Sequence, residues 1–269
     1  MQNSIIDHWN NDSDNYFKGT QCYGEIVKNP KIAFPIAVYP LLQKYVGDLR
    51  GKNVLVPSSG DNIGAFGFHL MGAKVTSCDL AENQIKNARM IAQQHGWDVE
   101  FLVQDTMRLD KIKDNKYDLV YTSNGVHVWI NDMSAMYKNI NRVLKPGGYN
   151  IFFETHPACR PFDRSSYDVK IRKSYEDVYI DANDDVPTYE WRTQDFVNAV
   201  LSSGLDLKEM VEFTSEREDL HAHNYLCISP EHKSEYDWPG DTFDWKNNPW
   251  AALPSCLCLC SQKRRHFDK

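Results

Sequence analysis

Asn53-Val54-Leu55-Val56-Pro57 runs straight into Ser58-Ser59-Gly60-Asp61-Asn62, and how these ten residues are read decides the fold. An unbroken apolar run with two β-branched valines describes a strand buried on both faces. The small and polar residues after it are those that a tight turn accommodates. Past the turn, Ile63, Phe66, Gly67, Leu70 and Met71 recur at helical spacing. The unit then repeats. Lys74-Val75-Thr76-Ser77-Cys78-Asp79 reads as a second strand, and Glu82 to His95 as a second helix with Ile85, Ala88, Ile91 and Ala92 on one face. Such alternation describes a parallel sheet with helical crossovers.

Downstream, the pattern continues through strands at Val99 to Val103 and Tyr117 to Tyr121 and a helix around Met133 to Val143. The breaker cluster Lys145-Pro146-Gly147-Gly148 precedes a fifth strand from Tyr149 to Glu154. Residues 156–192 lose the period and are rich in Asp and Tyr, so they read as an insertion over one end of the sheet. A helix resumes at Thr193, with Phe196, Val197, Val200 and Leu201 on its face and Gly204 as its stop, ahead of a sixth strand from Leu205 to Phe213. A second irregular stretch, residues 215–253, carries Tyr236, Trp238, Phe243, Trp245 and Trp250, which either cap a substrate pocket or seal the sheet edge. Ser255 to Ser261 supplies the last strand. Residues 1–50 read as a helical segment whose Ile5 to Tyr23 portion sets His8, Trp9, Tyr16, Phe17 and Tyr23 in a polar frame. The body of the domain spans residues 51–262, and 263–269 form a basic tail.

Across 269 residues, 30 Lys and Arg stand against 37 Asp and Glu, a net charge of −7. With no basic stripe longer than Gln262 to Arg265, the chain is ill-suited to neutralising nucleic-acid phosphates, and a small or neutral partner fits better. The longest apolar stretch, Ile32 to Leu42, is too short to span a bilayer and contains Pro35 and Pro40, so no membrane partner is expected. Met1 to Asn15 lacks the basic start and apolar core of a signal peptide. Seven scattered cysteines without a C-x-x-C pair read as reduced thiols, so the expected location is cytoplasmic. Cys256, Cys258 and Cys260 alternate along one strand, which suits core packing better than a metal site.

Chemistry concentrates at Gly60, in the first turn, and Asp79, at the end of the second strand, 19 residues apart. A turn at the carboxyl edge of a parallel sheet brings backbone N–H groups up to a ligand, and an acid on the neighbouring strand accepts from two ribose hydroxyls. Together they point to an adenosine-containing ligand. A dinucleotide needs G-x-G-x-x-G for its pyrophosphate, and here Asn62 stands where the second glycine would be. S-adenosylmethionine has no phosphate and relaxes that demand.

In order and spacing, these motifs resemble the class I S-adenosylmethionine-dependent methyltransferases, over roughly Gly51 to Phe213 with a last strand near Ser255. The matching features are the strand and loop from Val54 to Asn62, the acid Asp79, Gln104-Asp105-Thr106 after the third strand, and Lys145-Pro146-Gly147-Gly148 before the fifth. The resemblance implies an α/β, Rossmann-like class I methyltransferase fold: a seven-stranded, mostly parallel sheet with helices on both faces and an antiparallel last strand. It implies S-adenosylmethionine as cofactor and S-adenosylhomocysteine as product. Their site would comprise Pro57, Ser58, Ser59, Gly60 and Asn62, Asp79 and Leu80, Gln104, Asp105 and Thr106, and Ser123 and Asn124. By the same resemblance Asp79 holds the ribose, Asp105 accepts from the adenine amino group with Thr106 beside it, and Tyr121 to Asn124 line the methionine moiety. The first loop departs from the family, which commonly has an acid at the Val56 position and glycines at Ser58 and Asn62. Contacts to the cofactor's amino group then fall to Ser58, Ser59 or the N-terminal segment, which in that family often forms a lid.

The implied reaction is in-line methyl transfer from a sulfonium to a small-molecule acceptor, with much of the acceleration coming from near-attack geometry. A nucleophile that carries a proton also needs a general base. His127, after the fourth strand, is the first candidate, followed by Glu154 and His156 at the end of the fifth; His221 and His223 are weaker. A nucleic-acid acceptor fits poorly, because Thr122-Ser123-Asn124-Gly125 stands where an N-P-P-Y-like motif would lie. The reading from another class is a non-catalytic S-adenosylmethionine-binding sensor or scaffold, which the altered first loop keeps open. The chain is expected to act as a monomer or homodimer.

Overall fold

The computed structural model describes residues 2–19, 23–163, 169–180, 186–213 and 244–265. Strand β1 (Asn53–Pro57) is buried from Val54 onward and pairs in parallel with β2 (Lys74–Asp79) on one side. β3 (Val99–Val103) adds to β2, while β4 (Tyr117–Thr122) and then β5 (Leu144–Thr155) extend the sheet in parallel from the other edge of β1. Two short strands, β6 (Tyr179–Ile180) and β7 (Thr188–Tyr189), form a separate antiparallel pair inside the first insertion. β8 (Leu205–Phe213) is the far edge of the main sheet, and β9 (Cys256–Lys263) slots between it and β5, antiparallel to both. The resulting order, β3-β2-β1-β4-β5-β9-β8, is the expected seven-stranded, mostly parallel sheet.

Successive side chains on a strand point to opposite faces, so each strand feeds two cores. On one face Val54, Val56, Leu119, Tyr121, Ile151 and Phe153 meet α4 (Ile63–Leu70) and α5 (Glu82–His95). On the other, Leu55, Val120, Phe152, Leu257 and Leu259 meet α6 (Met133–Val143) and α7 (Thr193–Ser202). Cys256, Cys258 and Cys260 are fully buried on the first face, as packing residues. Among the described residues no group of His, Cys, Asp and Glu could hold a metal ion.

The N-terminal segment is built into this core. α1 (Gln2–Gly19) lies along α5: Asn83 bonds to Asn10 through its backbone and side-chain nitrogens (both 2.9 Å), and Asn87 Nδ2 donates to Ser13 Oγ (2.9 Å). Phe17, Ile26 from α2 (Tyr23–Lys28), and Val38 and Leu41 from α3 (Val38–Leu41) join the first core. Phe34 crosses α4 where Gly67 sits, and a Cβ there would lie 2.5 Å from the Cβ of Ala33. That approach needs glycine.

Two expectations change. The fifth strand starts at Leu144, because Lys145-Pro146-Gly147-Gly148 lies inside β5 instead of ahead of it. The β4 ladder pairs Tyr117 with Leu144 and resumes at Leu119 with Tyr149, so the surplus residues form a bulge. Gly147 there has φ 84°, and a Cβ on Gly148 would lie 3.0 Å from the carbonyl oxygens of Lys145 and Tyr117. Trp250, one of the aromatics with two readings, is a packing residue: it is buried with Cys159, Phe162 and Leu253 against the first insertion. Trp245 is exposed. Tyr236, Trp238, Phe243, His221 and His223 lie outside the described residues.

Candidate active site

At the carboxyl ends of β1, β2, β3 and β4 the chain encloses a cavity of about 290 Å³, near the lower end of ordinary ligand pockets. The first loop shapes one wall. Ser58 (φ 47°) and Asn62 (φ 63°) are both left-handed, so the backbone keeps a glycine-like path at the two positions where the resembled family has glycines. Their side chains are used locally. Asn62 Nδ2 donates to the Gly60 carbonyl (2.8 Å), Ser77 Oγ donates to Asn62 Oδ1, and Ser58 Oγ lies 2.8 Å from Thr106 Oγ1, tying the first loop to the segment after β3.

Asp79, at the end of β2, is 9% exposed and faces the cavity. Its Oδ2 accepts from Gly60 N (3.3 Å) and its Oδ1 from Ala81 N (3.1 Å), so the glycine and acid paired by sequence spacing are in contact. Burial raises its pKa, against the opposing pull of those N–H donors. Asp105 also lines the cavity, with Oδ1 accepting from Met107 N (2.8 Å).

Of the expected cofactor residues, Ser58, Ser59, Gly60, Asp79, Leu80, Asp105, Thr106, Ser123 and Asn124 line the cavity. Pro57, Asn62 and Gln104 do not; Gln104 turns its Oε1 to the backbone N–H of Lys111 (3.2 Å). Sequence reasoning missed Asp61 and Met107, together with Gln84 and the stretch Gly125, Val126, Val128, Trp129 and Ile130; Ile5 and Trp9 also line the cavity, from the segment expected as a lid. Asp61 stood within the quoted first loop, but which side chains turn inward is set by the loop path. Ile5 and Trp9 come from α1, and Trp9 meets Trp129 edge to face at 5.5 Å.

The three candidate bases are not brought to the cavity. His127 is 1% exposed, with Nδ1 3.3 Å from Glu154 Oε2 and Nε2 2.9 Å from Tyr137 Oη, and its ring packs on Phe152 and Phe196. Glu154, also 1% exposed, accepts from the N–H groups of Gly125 (2.9 Å) and His127 (3.3 Å). Burial opposes its ionisation, but the His127 hydrogen bond and the Arg160 charge outweigh it and hold the carboxyl below the usual glutamate range. His156 Nδ1 accepts from Ala158 N (3.0 Å) and its Nε2 lies 2.7 Å from Glu212. The sequence placed these groups correctly at strand ends; they point away because each satisfies its polar atoms within the protein.

Residues 57–152 match the family described as a methyltransferase domain. Over 123 residues the chain is 31% identical to a ubiquinone biosynthesis O-methyltransferase of Bordetella avium, covering 44% of this chain and 50% of that protein. The chain thus spans about half the length of the curated relatives it matches. A solved S-adenosylmethionine-dependent methyltransferase of Mesorhizobium loti superposes with TM-score 0.60 at 19% identity, covering 84% of this chain and 97% of that one. The [4+2]-cyclase SpnF superposes with TM-score 0.57 at 17% identity, covering 85% and 80%. No helix among the described residues is long and apolar enough to cross a membrane.

Proposed function

We propose that this chain, which has the class I methyltransferase fold and matches a methyltransferase domain over residues 57–152, binds S-adenosylmethionine in the cavity and transfers the methyl group to a small-molecule acceptor. The observation that carries this reading is Asp79, a carboxylate fixed by the N–H groups of Gly60 and Ala81 and turned to the cavity at the end of β2. The residues present fit the cofactor. Asp79 at the end of β2 suits vicinal ribose hydroxyls, and Asp105 and Thr106, in the loop after β3, suit the adenine. Among the described residues no Lys, Arg or His lines the cavity, which suits a cationic ligand.

When bound, S-adenosylmethionine supplies an electrophilic methyl group on a sulfonium. The chain's own part is to hold the two reactants in line and to keep water out. Ile5 and Trp9 of α1, with Val128, Trp129 and Ile130, give an apolar wall, so α1 acts as the lid and the acceptor presents a flat or apolar surface to it. Glu154 positions the loop after β4 through Gly125 and His127. The similarity to ubiquinone biosynthesis O-methyltransferases supports a hydroxyl on a small molecule as the first acceptor class to try.

The test is calorimetric titration with S-adenosylhomocysteine, repeated on Asp79→Ala, followed by an acceptor screen with methyl-labelled S-adenosylmethionine. Binding that Asp79→Ala abolishes supports the reading, and a folded wild type that binds nothing removes it. Tight binding with no turnover on any acceptor would favour the sensor or scaffold.

A further inference from the structure

Three carboxyls line the cavity, Asp61, Asp79 and Asp105, and no basic side chain among the described residues faces them. Two have a clear use in the adenosine half. Both oxygens of Asp79 are held by backbone N–H groups, which suits the ribose, and Asp105 follows in the loop after β3, its Oδ1 accepting from Met107 N. Asp61 is different. Its Oδ1 accepts from Ile63 N (3.0 Å) at the start of α4, and among the described residues no Lys, Arg or His forms an ion pair with it. Tyr23 Oη of α2 donates to the Asp61 carbonyl oxygen (3.1 Å).

Asp61 is half-buried in the cavity wall, and a partly desolvated carboxylate with no cation among the described residues gains from a ligand that brings one. Resting on the cofactor reading above, we propose that Asp61 is the counter-ion for the α-ammonium group of the methionine half of the bound cofactor. With Asp79 and Asp105 committed to the adenosine end, Asp61 is the remaining carboxyl of the cavity, and it sits on the loop that turns from β1 into α4. The loop therefore carries its own acid, although Val56 stands where the resembled family has one.

The proposal has a protonation consequence. Burial pushes Asp61 up to about 6, and the groups that face it are Asp79 and Asp105 across the cavity, Tyr23 and the Ile63 N–H. An ammonium partner favours the ionised form, so binding of a ligand that carries one weakens as pH falls below that value.

The experiment titrates the full chain and Asp61→Asn, which keeps an oxygen for the Ile63 N–H, with two ligands. S-adenosylhomocysteine carries the amino-acid end; 5′-methylthioadenosine lacks it. Asp61→Asn is expected to weaken S-adenosylhomocysteine by about ten- to a hundredfold, as for loss of a charge-assisted hydrogen bond, and to leave 5′-methylthioadenosine unchanged. The ratio of the two affinities should fall between about pH 7.5 and about pH 5 in the wild type and stay flat in the variant. Equal affinity of variant and wild type for S-adenosylhomocysteine, or an equal loss for both ligands, overturns the assignment of Asp61. A wild type that binds neither ligand overturns the cofactor reading itself.

Discussion

Glu154 Oε2 and His127 Nδ1 lie 3.3 Å apart in a compartment where each residue is 1% exposed. The carboxylate also takes the N–H groups of Gly125 and His127, so one buried charge fixes the turn after β4 that forms a wall of the cavity. Glu154→Gln removes the charge and leaves one side-chain oxygen. We expect a loss of about 2–4 kcal/mol in stability from urea unfolding, because partners of a buried ion are left unsatisfied. The folded pKa of Glu154 is depressed, so its contribution is complete above the ordinary value of 4.5 and is lost as pH falls through the lower folded value. The stability gap between wild type and variant should therefore narrow in acid, and a pH-independent gap would refute this account.

His127→Ala is expected to act on stability and to spare the chemistry. The ring fills space between Phe152 and Phe196 and is the partner of the Tyr137 hydroxyl, so its removal should cost about 2–4 kcal/mol. If a variant that remains folded binds S-adenosylhomocysteine normally but loses turnover, His127 regains the role of base.

Asn62 stands at φ 63°, where an alanine is strained and a glycine is not. Asn62→Ala should destabilise more than Asn62→Gly, by about 1 kcal/mol, although both lose the bonds to Gly60 and Ser77. Paired thermal melts decide the order.

Trp9→Ala tests the lid. Phe17 and Ile26 belong to the main core, so deleting the whole segment would confound binding with folding, whereas Trp9 lines the cavity beside Trp129 and lies outside that core. The variant should keep its melting temperature within a few degrees and bind S-adenosylhomocysteine about fivefold more weakly, an aromatic contact being worth about 1 kcal/mol. Unchanged affinity would separate α1 from the cofactor.

Thiol labelling tests the cysteine reading. Cys78, Cys159, Cys256, Cys258 and Cys260 are buried, and burial pushes the Cys260 thiol up to about 12. These five should react with a thiol reagent only on unfolding, since the thiolate is the reactive form. Fast labelling of Cys78, Cys256, Cys258 or Cys260 in the native protein would show that the sheet opens.

The sequence carried the strand and helix order because periodicity is local: the run from Val54 to Asp79 contains its own strand, turn, helix and second strand. It carried the contact between Gly60 and Asp79 because neighbouring parallel strands bring their carboxyl ends together. Other features escaped it. Lys145 to Gly148 reads as a breaker, and only pairing with β4 turns it into a bulge within a continuous strand. His127, Glu154 and His156 stand at strand ends as expected, but a strand end has two sides, and a side chain's direction depends on partners such as Tyr137 and Glu212 that are distant in the chain. The amino-acid sequence by itself determined the sheet, the glycine and acid pair, and the cofactor class they suit. Tertiary structure alone decided which residues of α1 reach the cavity, that the histidines turn inward, and that Asp61 has no cation among the described residues, because burial and charge pairing are sums over residues the chain brings together only when folded.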